Sequence, residues 1–116
     1  MTRSSEKPSD LVVLRSIKQL LSSRKRWCKD YSALAADGAV VSAHDPDACR
    51  WCLTGATELM AARHDRSFGW IASLLERGRD QRHMNASRGL TDINDGYGFK
   101  AVRHTINTAI RRLETT

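Results

Sequence analysis

Two cysteines at C-x-x-C spacing, Cys49 and Cys52, flank Arg50-Trp51 in the stretch DPDACRWCLTGA. Thiolates so spaced can share a zinc ion, and a structural zinc site takes four ligands. Cys28 and His44 are the residues that would complete a Cys3His set. The chain has no second C-x-x-C, and His44 falls in a polar connection. The preferred reading is therefore a packed Cys52 beside Trp51, with no metal and no cofactor. A thioredoxin-like redox role needs the motif after a strand in a βαβ unit, and no such unit is read here. Nucleophilic catalysis would need Cys52 with His104 and Asn94 as base and orienting group. Nothing in the sequence joins them, and a thiol on an apolar helix face has a raised pKa. No catalytic set converges, so a non-enzyme is expected.

Other polar residues are weighed in the same way. Asp92 and Asp95 flank Asn94 in TDINDG. No calcium loop with a distal glutamate follows, which leaves turn formation and capping. GYGFK could meet a phosphate at the start of the last helix, with Lys100 nearby, but a plain N-terminal turn is preferred. Trp51, Asn94 and Asp95 remain as candidates for a small-ligand pocket, which would make the protein a ligand binder or an enzyme. The formal net charge is +6. Such a charge favours a polyanion, because Lys and Arg release condensed counterions from phosphates. The candidate nucleic-acid surface is Arg24, Lys25, Arg26, Arg103, Arg111 and Arg112. A helix-turn-helix around RHDR is also weighed. Its second helix lacks the Asn, Gln and Arg run suited to base edges.

Elements must position these groups. Residues 1–9 read as a flexible tail, and 10–116 as one compact domain. Ser9 or Asp10 caps a first helix over 10–24, with Leu14, Ile17, Leu20 and Leu21 on one face. YSALAADGAVVSA reads as a hairpin with a type I′ turn at Asp37-Gly38. Asp45 as N-cap and Pro46 at the first position open a second helix over 46–63. Its apolar residues run from Ala48, Trp51 and Cys52 to Gly55, Ala56, Leu59 and Met60. Gly55 implies close approach of another backbone. A third helix covers 66–79, with Phe68, Ile71, Leu74 and Leu75 inward. Residues 78–90 form a long polar connection, and a last helix covers 99–114. The fold class is α+β, mostly helical: about four helices with a small β-hairpin after the first.

The chain has 116 residues and three cysteines, an odd number that fits no exported disulfide framework. No stretch approaches the length of a membrane span, and MTRSSEKPSD has no apolar signal region. A cytoplasmic protein with no membrane partner is expected, its oligomeric state left open between monomer and homo-oligomer.

Several motifs occur together: Trp27 after the first helix, Asp45-Pro46 with Ala48, Trp51-Cys52 with Gly55-Ala56, and Asn94-Asp95 before the last helix. In this combination the chain resembles DUF6197, an uncharacterised family of small bacterial and phage proteins, over residues 11–113. Such relatives often carry tryptophan where this chain has Ile93, and generally lack Cys49. The resemblance implies a packing signature and no known activity. The functional expectation is a small non-catalytic binding or accessory protein of phage or mobile-element origin. Its partner would be nucleic acid or another protein.

Overall fold

The structure is a computed structural model and describes residues 6–77 and 89–115. The first helix, α1, spans Glu6–Leu20, and a 3-10 turn follows at Arg24–Arg26. Strands β1 (Ala33–Ala35), β2 (Val40–Val41) and β3 (Ala48–Trp51) precede helices α2 (Leu53–Arg63) and α3 (Phe68–Arg77). One helical turn at Leu90–Asp92 and a wider π turn at Ile93–Tyr97 lead into the last helix, α4 (Gly98–Glu114). The result is a mostly helical α+β fold with four such helices and one small antiparallel sheet among the described residues, in the order β2-β1-β3.

The helices form for the expected reason. Val13, Leu14 and Ile17 of α1 and Leu21 just past its end are fully buried, as are Ile71 and Leu75 of α3 and Val102 and Ile106 of α4. Each set repeats at three- or four-residue steps, so one stripe of each helix faces a shared core. α1 begins at Glu6, inside the segment read as a tail; residues 1–5 lie outside the described residues. Asp10 is therefore within the helix and not its cap. It is 2 % exposed and accepts from Arg66 Nε at 3.1 Å, Arg66 Nη2 at 3.0 Å and Trp70 Nε1 at 2.9 Å. That cluster ties α1 to the start of α3. Trp70 nevertheless remains partly exposed, and Phe68, expected inside, is 40 % exposed. The long polar connection lies, over 78–88, outside the described residues.

The hairpin is present, with a different turn. β1 pairs with β2 through Ala33↔Val41 and Leu34↔Val40. Gly38 has φ +90°, but Asp37 is not in the left-handed region, so the turn is not type I′. The Gly38 amide donates to Ala35 O, and the Ala35 amide to Ala39 O. This is a three-residue loop with glycine at its left-handed position. Asp37 Oδ1 accepts from the Ala39 amide at 2.9 Å and holds the loop closed.

The main departure is at Asp45-Pro46. These residues do not start a helix. Ala48 N donates to Asp45 O at 3.0 Å, and Asp47 N to Asp45 Oδ1 at 2.8 Å. Asp-Pro thus makes a tight turn with proline at its second position, and the chain leaves it as strand β3. That strand pairs with β1 through Ala33↔Trp51, Leu34↔Arg50 and Ala35↔Ala48, with Cys49 as the extra residue of a bulge. Helix α2 starts seven residues later than expected. Ala48, Trp51 and Cys52 fit helical spacing, yet Ala48 and Trp51 are strand residues and Cys52 is the helix cap.

Gly55 lies where α2 crosses the end of β1. A Cβ built on it would sit 2.1 Å from the Ser32 carbonyl oxygen. The close approach expected from the sequence is real, and the obstacle is backbone. Gly55→Ala should cost about 2 kcal/mol or more and lower Tm by roughly 8 °C. Gly89, with open space around its Cβ position, is the control. Thermal melts showing Gly55→Ala as harmless as Gly89→Ala would refute the contact.

Candidate functional site

WCLTGA divides into three tasks. Trp51 ends β3, is 7 % exposed, and donates from Nε1 to Ala43 O at 3.1 Å. Cys52 is the N-cap of α2, its Sγ accepting from the Gly55 amide at 3.2 Å. A cap oxygen commonly does this work; here a buried sulfur does it. Gly55 and Ala56 then let α2 lie against β1.

INDG meets this segment from the other end of the chain. Asn94 is fully buried. Its Oδ1 accepts from Trp27 Nε1 at 2.6 Å and from the Leu53 amide at 2.9 Å. Its Nδ2 donates to Cys28 O at 3.0 Å and to Asp95 Oδ1 at 2.8 Å. Two donors and two lone pairs are the whole capacity of a carboxamide, and all are used. Asp95 Oδ1 also accepts from the Asp30 amide at 3.0 Å, where Asp30 has φ +76°. The π turn presents Asn94 and Asp95 together to this segment. Asn94 and Asp95 therefore bond the backbone just before the hairpin and at the start of α2. Neither of the two clefts on the faces of α1 is lined by Trp51, Asn94 or Asp95.

The thiols do not make a centre. Cys28 Sγ donates to Tyr31 O at 3.4 Å, Cys49 is half-buried in the bulge, and His44 lies 3.5 Å from Glu58. Among the described residues no three His, Cys, Asp or Glu side chains group as metal ligands do. Burial, with a smaller contribution from Cys52, pushes the Cys28 thiol up to about 12; burial also raises Cys52. The third candidate nucleophile partner, His104, is exposed on α4. At the start of α4 the Gly98 amide donates back to Asn94 O. For the helix-turn-helix reading, Arg66 is turned inward onto Asp10.

The basic residues separate into two groups. Arg24 stands over Phe99 at 5.2 Å and Arg103 over the same ring at 6.0 Å, while Trp27 tilts against it at 5.7 Å. Arg103 also donates to Ser22 O at 2.7 Å, at the end of α1. Arg26 lies over Trp51 at 5.9 Å, and Lys25 is exposed between these two arginines. Arg111 and Arg112 are exposed farther along α4, about 12 Å from Arg103 at the helical rise. The sequence reading missed Arg15, Lys18 and Arg63, which lie beside the two clefts of this surface. Their signal was their place at the edge of the apolar stripes of α1 and α2.

Asn94→Ala removes four hydrogen bonds and leaves Trp27 Nε1 and the Leu53 amide without an acceptor. The loss should be about 3 kcal/mol or more, read as a Tm drop of roughly 10 °C. A melt within about 2 °C of the parent would sink the hub. A native thiol titration at about pH 8 should find Cys49 reacting first, with Cys28 and Cys52 released only by denaturant. Equal rates for all three would contradict their burial.

No curated protein and no solved structure matches the chain. A family model does, over residues 6–112, and it takes in Trp27, the WCLTGA stretch, Asn94 and Asp95. The chain belongs to the Family of unknown function (DUF6197).

Proposed function

We propose that this protein is a small non-catalytic binding protein of the cytoplasm, and that its partner is the phosphate backbone of nucleic acid. The observation that carries this reading is the Arg24–Phe99–Arg103 stack. Two guanidiniums from distant segments are ordered on one aromatic ring. Among the described residues neither of them, nor Arg26, Lys25 or Arg111, pairs with a carboxylate. Cations ordered in advance lose less entropy when phosphates arrive. The chemistry-bearing residues favour the same class. Asn94 and Cys52 spend their polar atoms inside the fold, which argues for binding over turnover. Three free thiols suit a reducing compartment.

Contacts of this kind read phosphate and not base edges, so binding should be tolerant of sequence. Anisotropy of a labelled oligonucleotide should show log K falling linearly with log salt between about 50 and 300 mM, with a slope near −3 for roughly three phosphates. The double variant Lys25→Glu, Arg111→Glu should flatten that slope. No binding at about 50 mM salt would overturn the proposal.

A further inference from the structure

A groove of about 860 Å³ runs between α1 and α2, within the size range of small-ligand sites. Its chemistry has two parts. Leu20 and Met60, each 7 % exposed, and the half-exposed Val12 supply an apolar surface. Arg15, Arg26 and Arg63 supply three guanidiniums, and among the described residues no carboxylate lines the groove. Arg15 is bonded to Glu114 at 2.6 Å on its far side. Among the described residues Arg26 and Arg63 have no acidic partner.

Neutral polar groups complete the wall. Ser16 Oγ and His64 Nε2 lie 3.2 Å apart, and Gln19 stands on the same helix face one turn on from Arg15. A catalytic Ser–His pair is not supported, because Ser16 Oγ donates to Val12 O at 2.8 Å and, among the described residues, no third side chain is bonded to the His64 ring. The groove is a binding arrangement: donors and cations around an apolar patch.

We propose that this groove binds a nucleoside phosphate, with Arg26 and Arg63 on the phosphoryl oxygens and the nucleoside against Met60 and Leu20. A phosphate monoester carries nearly two charges and three acceptor oxygens. It matches several guanidiniums better than a single carboxylate does. A bare phosphate would leave the apolar part idle, and a fatty anion would leave most of the donors idle. The site does not depend on the polyanion reading above, since it recognises one phosphoryl group and the body attached to it. The same chemistry is offered by a free nucleotide and by the 5′-phosphorylated end of a strand.

Calorimetric titration of the full chain at low salt distinguishes these. The probes are adenosine 5′-monophosphate, a 5′-phosphorylated oligonucleotide with its unphosphorylated twin, inorganic phosphate and decanoate. The expected result is that the nucleotide, or the phosphorylated strand over its twin, binds at least about tenfold better than inorganic phosphate. Binding of the free nucleotide identifies that source; preference for the phosphorylated strand alone identifies a strand end. Arg63→Glu and Gln19→Glu, both exposed and checked for folding by circular dichroism, should each weaken binding about tenfold. Lys100→Glu, outside the groove with a comparable charge change, should not. The proposal is overturned if neither nucleotide probe binds better than phosphate, if decanoate alone binds, or if the groove variants behave like Lys100→Glu. Loss of salt-dependent oligonucleotide binding in Lys25→Glu, Arg111→Glu with nucleotide binding intact would separate this site from the basic face.

Discussion

The structure depends on one buried carboxamide. Asn94 bonds Trp27 and Cys28 from the segment after α1, Leu53 at the start of α2, and Asp95 beside it. Three regions far apart in the chain therefore meet at one side chain. Only a carboxamide can do this, since aspartate has no donor and a second carboxylate would face Asp95. Glutamine would carry the same groups on a longer stem. A fully satisfied buried amide contributes a unique arrangement as well as stability, because any shifted packing would leave some of its groups unpaired.

Close packing follows from that convergence. With Leu53 held by Asn94 and Cys52 N donating to Ser32 O, the first turn of α2 is drawn onto the edge of β1. No side chain fits between them at position 55, where even a methyl group meets the Ser32 carbonyl. Cys52 is drawn inside by the same geometry, so its sulfur caps the helix and its thiol is held protonated by burial. The polar residues most suggestive of chemistry are thereby committed to architecture. Asp10 plays the matching part at the other end of α1, where a buried carboxylate gathers Arg66 and Trp70. An ion pair of that kind is costly to break because it leaves one charge buried alone.

The exterior carries the excess of basic over acidic residues, 19 against 13. Arg24 and Arg103 stand over Phe99, while Arg26 lies over Trp51 and also lines the groove between α1 and α2. Arg15 stands between that groove and a second, smaller cleft lined by Lys18 and Arg111. The net positive charge is thus spread across the faces around α1 and not gathered on one helix, a distribution that widens electrostatic capture.

The helices around the core were legible in the sequence because their stripes repeat at three and four residues over several turns, as in Leu14, Ile17 and Leu21 or Val102, Ile106 and Ile110. The hairpin was legible from Asp-Gly, and the need for Gly55 from a glycine placed inside an apolar helical stripe. Strand β3 was not. Asp45-Pro46 suits a helix start and a tight turn equally, and four residues are too few for period to separate strand from helix. Its pairing with β1 is a contact across the fold that decides the matter. The basic residues of RKR and of α4 could be named from the sequence; their ordering on Phe99, and the neighbourhood of Arg15, Arg26 and Arg63, could not. Local patterning settles which face of an element is buried. Which surfaces lie side by side, and which polar side chains are consumed in joining them, is settled only when segments distant in the chain pack together, as Trp27, Leu53 and Asn94 do here.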